Sequence, residues 1–163
     1  MSRDEGTIRP GRAADARALA AMANELNLFE GKPGDVYSEE LVKAQAFGAT
    51  PLFSVLVVEV DGELVGYALF HDGYTPGVAG PEVWLHDVFV REHARSRGVG
   101  RRLMAAVARA TVERGATTLC WGVLSSNRRA QAFYADLGAK DEDTRFLELG
   151  GEALESLADA AGE

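Results

Sequence analysis

The residues best equipped for chemistry lie between Trp84 and Leu103, in the stretch WLHDVFVREHARSRGVGRRL. Arg91, Arg95, Arg97, Arg101 and Arg102 place five guanidinium charges within twelve residues, around Gly98-Val99-Gly100. An apolar run of β character (Trp84, Leu85, Val88, Phe89, Val90) precedes them, and a helical pattern follows. A strand that turns through glycines into a helix makes an anion site. The first helical N–H groups lack intrahelical acceptors, and the macrodipole is positive there. The glycines allow the backbone of Arg97, Gly98, Val99, Gly100 and Arg101 to approach a phosphate closely. Arginines this crowded repel one another unless an anion lies between them. For any single arginine, the alternative is a solvated basic helix start.

A second set of residues suits an amine rather than a phosphate. His86 and Asp87 are neighbours in the same strand, and a histidine with a pKa of about 6.5 can act as a base at pH 7. Strict strand alternation puts the two on opposite faces, so they cannot do the same job. His86 reads equally as a histidine hydrogen-bonded within the sheet. Trp84 and Tyr67 offer faces that attract ammonium groups, or they pack in the core. Cys120 lies in an apolar run and reads as a buried thiol. His71 and His93 are not spaced with other ligands, so no metal site is expected.

These groups need elements to position them. Thr7 to Arg9 reads as an edge strand closed by Pro10-Gly11. Helical spacing runs from Ala13 to Phe29, and a second helix from about Ser38, an N-cap, to Phe47. Leu52–Val60 and Glu63–His71 are strands joined at Asp61-Gly62, a strong hairpin signal. Asp72 to Pro81 reads as a mobile loop. An amphipathic helix spans Gly98–Arg114 and stops at Gly115. Thr117–Leu124 is apolar enough for a central strand. A helix over Asn127–Leu137 ends at Gly138, Arg145–Leu149 reads as a final strand, and Leu154–Ala161 as a short helix. The predicted order is β-α-α-β-β-β-α-β-α-β. This is an α/β (α+β) fold with a mixed, mostly antiparallel sheet flanked by helices, in one domain over residues 1–163 with a short flexible N-terminus at 1–5.

The bulk composition agrees with a catalytic domain of ordinary size. The 163 residues suit one domain with a sizeable core. Net charge is −8, from 17 basic and 25 acidic side chains. That argues against nucleic acid or an anionic membrane as a partner of the whole molecule, and favours a small cationic substrate. A single cysteine excludes an internal disulfide and points to a reducing compartment. The first residues carry no apolar leader, and no apolar run approaches about 18 residues. Cytoplasm is the expected location.

Arg95-Ser96-Arg97-Gly98-Val99-Gly100, between a strand and a helix, followed by Asn127-x5-Phe133-Tyr134-x3-Gly138, resembles the two motif blocks of the GNAT N-acetyltransferases. The resemblance covers essentially the whole chain. The pieces NELNLFE, SEELVKAQAFGATPLFSVLVVEV, HDGYTPG and WLHDVFV, with Arg145-x-Leu147 and GGEALESLA, are most similar to the diamine, polyamine (spermidine/spermine-type) and thialysine acetyltransferases.

The resemblance implies acetyl-CoA as cofactor. Arg95, Ser96, Arg97, Gly98, Val99, Gly100 and Arg101 would hold its phosphates, and the strand Val88, Phe89, Val90 would pair with its pantetheine arm. Asn127, Ala130, Phe133 and Tyr134 would lie along that arm, with Asn127 bonding it or capping its own helix. Tyr134 matches the family's general acid. Its phenol, of pKa about 10, can protonate a leaving thiolate without itself being ionised at neutral pH.

The acceptor would be a primary amine of a small molecule, held by Glu30, Trp84, His86 and Asp87, with Glu30, His86 or Asp87 as candidates to take its proton. Its solution pKa near 10.4 means that a base must take its proton. The nearest relatives carry glutamate where this chain has His86, which weakens the polyamine reading and leaves acetyl transfer intact. Family precedent also implies a homodimer. Alternatives are a protein, peptide or aminoglycoside acceptor, or a CoA-binding regulatory module with little catalysis. A dinucleotide oxidoreductase is poorly supported, because Gly98-x-Gly100-x-x-Leu103 lacks the third glycine.

Overall fold

Alternating apolar residues build a five-stranded sheet. Its order is β1 (Thr7–Pro10), β2 (Ser54–Val60), β3 (Glu63–Thr75), β4 (Gly80–Val90), β5 (Thr118–Trp121). Neighbours from β1 to β4 pair antiparallel, and β5 pairs parallel to β4. This computed structural model describes residues 6–95 and 98–162. The expected flexible N-terminus at 1–5, and Ser96 and Arg97 of the expected phosphate loop, lie outside the described residues. Asp61 and Gly62, with φ of 50° and 81°, make the β2–β3 turn. Two successive positive φ values match the right-handed twist of the strands.

The helices are α1 (Ala16–Phe29), entered through a 3₁₀ turn at Ala13–Asp15, then α2 (Glu39–Phe47), α3 (Val99–Glu113), α4 (Arg128–Asp136) and α5 (Gly151–Asp159). Ser38 caps α2 as expected, its Oγ accepting from the Leu41 amide at 3.1 Å. None of the described helices is long and apolar enough to cross a membrane. Contacts fall into two compact units, Met1–Leu124 and Ser125–Glu163.

In the first unit the sheet is covered on both faces. Leu19, Met22 and Ala23 of α1 and Val42 and Ala46 of α2 cluster with Val57, Tyr67 and Phe89. On the opposite face Val58, Ala68, Phe70, Val83 and Leu85 are buried, as are Val99, Leu103, Met104 and Val107 of α3, which packs on β2 to β5. Each buried Val, Leu, Met or Phe among them contributes about 1.5–3 kcal/mol, the alanines less. Arg9 ties β1 to β2 and to the start of α1, with Asp15 and Glu59 each at 2.7 Å. Its hydrogen bonds hold the Asp15 carboxyl below the usual carboxylate range.

Three expectations need correcting. The stretch from Asp72 to Pro81 is mostly strand: β3 runs to Thr75 and β4 starts at Gly80, with Tyr74↔Pro81 and Thr75↔Gly80 in register. Ladder pairing across a short turn outweighs the loop-like composition. The β5 strand is short, half-buried and last in the sheet order rather than central. Its apolar side chains signalled hydrophobicity, which does not specify how many neighbours a strand has. The final strand expected over Arg145–Leu149 is absent, since residues 139–150 have no regular structure. A strand exists only within a ladder, and the sheet includes no ladder beyond β5. Leu147 there is 93% exposed.

Candidate active site

The site starts from an irregularity in β4. Pairing with β3 runs from Gly66↔Val90 to Leu69↔Asp87 and then shifts to Phe70↔Leu85, so His86 is an extra residue. Such a bulge breaks the two-residue period and re-aims side chains. His86 lies edge-on to His71, ring centroids 4.7 Å apart. Tyr67 Oη donates to Asp87 Oδ2 at 3.0 Å. Tyr67 and His71, four residues apart on β3, share one face. His86 and Asp87 therefore both serve the face covered by α1 and α2, and the expectation of opposite faces fails because of the bulge. Trp84, in register with His71, joins them, its Nε1 donating to Glu82 Oε1 at 2.6 Å.

Burial sets the electrostatics of this group. It pushes the Asp87 carboxyl above its ordinary range, the Tyr67 hydrogen bond pulls it back, and the charge of Glu30 raises it further. Tyr67 is held far above a normal phenol by burial and by Asp87, so it remains a donor. His86 is pushed down by burial and then by His71, against the pull of Asp87. A lowered histidine is neutral at pH 7 and has a lone pair to offer. Glu30 caps the C-terminus of α1 and receives Lys32 Nζ at 2.6 Å. Asn24 holds the following loop by bonding both the carbonyl and the amide of Tyr37, at 2.9 and 3.0 Å.

Beside this face, β4 offers a main-chain edge. The parallel ladder to β5 ends at Leu85↔Trp121. The Arg91 amide bonds the Val65 carbonyl, so by antiparallel alternation Phe89 turns its main-chain groups toward β3, whereas Val88 and Val90 turn theirs away. Phe89 itself is buried in the core. Arg95 Nε takes the Val90 carbonyl at 2.7 Å, and its guanidinium lies 5.8 Å from the Phe29 ring centroid.

Helix α3 is entered through Gly98, whose φ of +71° suits glycine. Helix geometry directs the Val99 and Gly100 amides out of the helix start, where Arg101 follows. Part of the arginine cluster has partners within the protein. Arg91 pairs with Glu25 and Glu63, each at 2.9 Å, and Arg102 donates to the Gly6 carbonyl at 2.7 Å.

In the second unit, Asn127 caps α4, its Oδ1 accepting from the Ala130 amide at 3.1 Å. Phe133 and Tyr134 follow on that helix with ring centroids 5.3 Å apart. Burial raises the Tyr134 phenol above its ordinary pKa, which keeps its proton in place.

Sequence reasoning missed Lys32, Tyr37 and His71. Glu30-Gly31-Lys32 is a helix-ending signal that could have placed Lys32 beside Glu30. Tyr37 lacks such a signal. His71 needed the β3–β4 register, and among the described residues no hydrogen bond reaches its buried Nδ1.

The family model described as "Acetyltransferase (GNAT) family" matches residues 19–139, from α1 through α4. The chain belongs to this family. A thialysine N-epsilon-acetyltransferase from Bos taurus is 32% identical over 164 residues, spanning 93% of this GNAT chain and 96% of the relative. An integron cassette protein from the mobile metagenome of V. cholerae has the same fold, with TM-score 0.80 and 23% identity over 94% of this chain and 98% of its own. So does an aminoglycoside N-acetyltransferase solved with CoA, with TM-score 0.72 and 22% identity over 88% and 93% of the two chains. The chain is an acetyl-CoA-dependent N-acetyltransferase.

Proposed function

We propose that this enzyme acetylates the terminal primary amine of a small diamine or thialysine-like molecule, with His86 as base and Asp87 as the anchor for the ammonium group. The observation that carries this reading is the bulge in β4, which brings His86 and Asp87 to one face beside Tyr67. The thialysine acetyltransferases support the acceptor class, since that substrate is an α-amino acid ending in a primary amine.

The residues of the loop fit acetyl-CoA. Gly98 in the left-handed conformation opens the path to the helix start. The outward main-chain groups of Val88 and the Val90 amide suit an arm of two amides, while the Val90 carbonyl accepts from Arg95. We assign the phosphates to Val99, Gly100, Arg101 and Arg95, and to Ser96 and Arg97 from the sequence motif alone. When bound, acetyl-CoA supplies an activated thioester. Asp87 holds the acceptor ammonium, and neutral His86 takes its proton at a ring nitrogen. The amide of Val88, directed out of the sheet, would hold an oxygen gaining negative charge. Tyr134 would be the proton donor for the CoA thiolate.

We read the whole chain as one acetyltransferase domain, because the family match runs through both compact units. A homodimer is proposed from the exposed apolar side chains of the second unit, among them Leu147, Leu154 and Leu157. A cytoplasmic location follows from the single cysteine.

The test is acetyl-CoA consumption with lysine, thialysine, putrescine, spermidine and a lysine peptide. Turnover with a free small amine supports the reading. Turnover with the peptide alone, or with no amine despite CoA binding, refutes it.

A further inference from the structure

The end of α1 has a feature that holding an ammonium group does not require. The backbone of Glu30-Gly31-Lys32 closes the helix in a double turn. The Lys32 amide bonds the Asn27 carbonyl at 2.8 Å and the Gly31 amide bonds the Leu28 carbonyl at 3.1 Å, with Gly31 at φ +75°. In this motif the residue after the left-handed glycine commonly makes an apolar contact with the last helical turn. Here that position is a lysine, and its Nζ sits 2.6 Å from Glu30 Oε2. The motif fixes both Cα positions, so the two opposite charges are presented side by side.

Their location is set by independent contacts. Glu25 of α1 pairs with Arg91 at 2.9 Å, and Phe29, four residues on, lies under Arg95. The C-terminal half of α1 therefore runs beside the C-terminal end of β4, on the face that carries Asp87. The two hydrogen bonds between the Asn24 side chain and the Tyr37 backbone hold the 31–38 loop to α1. Glu30 and Lys32 close that half of α1, so the pair stands at the helix end that runs along the Asp87-bearing face.

We infer that Glu30 and Lys32 together form the subsite for the head group of an α-amino acid, Glu30 taking its α-ammonium and Lys32 its α-carboxylate, while the terminal amine of the same molecule reaches Asp87 and His86. This rests on the acceptor reading above and narrows it from amines in general to diamino acids. A cation next to the distal subsite repels the second ammonium of a diamine and attracts a carboxylate. His86 acts in the same direction, because it replaces a carboxylate's fixed negative charge with a neutral ring. Lys32 alone could simply favour the negative end of α1, which would leave substrate choice untouched.

The experiment compares lysine with cadaverine, the same chain without the carboxylate. Initial rates are measured for the intact enzyme, Lys32→Met, Lys32→Arg and Glu30→Gln. The expected wild-type preference is at least tenfold in kcat/KM for lysine. Lys32→Met should collapse the lysine-to-cadaverine ratio toward one through KM, with kcat for lysine largely kept. Lys32→Arg should retain the preference, and Glu30→Gln should weaken both substrates, which share the ammonium. Equal use of the two amines by wild type overturns the inference, as does an equal loss on both in Lys32→Met. A rise in cadaverine turnover with lysine unaffected also overturns it, since Lys32 would then merely compete for Glu30. Failure of wild type on every free amine would instead remove the acceptor reading itself, and both inferences with it.

Discussion

Tyr67→Phe isolates the hydrogen bond between Tyr67 and Asp87 in the proposed acceptor site. Tyr67 is 2% exposed, and phenylalanine fills the same ring volume, so the substitution deletes one O–H and leaves the packing. That O–H donates to Asp87 at 3.0 Å. A hydrogen bond to a charged acceptor contributes about 1.5–3 kcal/mol, and one to a neutral acceptor about 0.5–1.5 kcal/mol. With the carboxylate ionised, the variant should lose the larger amount. At about 2–4 °C per kcal/mol for a chain of this size, Tm should fall by about 3–12 °C. In an Asp87→Asn background the acceptor is neutral, so the same substitution should lose only the smaller amount. A double-mutant cycle by urea unfolding at pH 8 should then give a coupling of about 1–2 kcal/mol. The pH dependence has a definite sign. Tyr67 pulls the Asp87 pKa down against burial, and a bond that lowers an acid's folded pKa stabilises above its titration and is lost as pH falls through it. The deficit of Tyr67→Phe should therefore be full at pH 8 and shrink toward acid. An equal loss in both backgrounds, or a deficit that grows toward acid, would refute the reasoning.

Asp87→Asn should unfold at higher temperature than wild type at pH 8, while kcat/KM falls at least tenfold. The net effect of burial raises the folded pKa of Asp87, so the stability it contributes at low pH is lost as pH rises through that value; lower stability of the variant at pH 8 would contradict this. His86→Ala should remove the acidic limb of the kcat/KM profile, a limb that wild type shows below about pH 6.5 because the folded pKa is lowered; a limb left in place would make His86 structural. Tyr134→Phe should lower kcat by ~10²-fold or more with little change in CoA affinity, checked by rapid kinetics and calorimetry. Gly98→Ala should cost about 1–2 kcal/mol, because φ is +71° although the space at Cβ is open, and it should weaken CoA binding; an unchanged Kd would separate the loop from the cofactor.

What the sequence made legible was whatever depends on local pattern. The hairpin at Asp61-Gly62, the Ser38 cap, the helical face of α3 and the left-handed Gly98 all follow from residue type and spacing over a few positions. Features that need a distant partner were hidden. Arg91 belonged to the basic cluster by sequence, yet its acidic partners lie 66 and 28 residues away, at Glu25 and Glu63. The missing strand at Arg145–Leu149 has suitable alternation, but alternation describes a surface and cannot supply a neighbouring ladder. The bulge at His86 is the case with consequences for chemistry. Nothing in LHDVFV announces an extra residue, because a bulge is a property of the register between two strands. Without it, Asp87 and His86 would face opposite layers, one under α1 and the other toward α3, and no amine could meet both. With it, one face carries both Asp87, the proposed anchor for the ammonium group, and His86, the proposed base. The same shift leaves Leu85 and Val83 pointing into the α3 layer, so the sheet keeps both of its cores. A deletion of His86 would therefore do more than remove a base. It would restore regular alternation and turn either Asp87 or Leu85 to the wrong side, placing a buried carboxylate against α3 or an apolar side chain in the acceptor site.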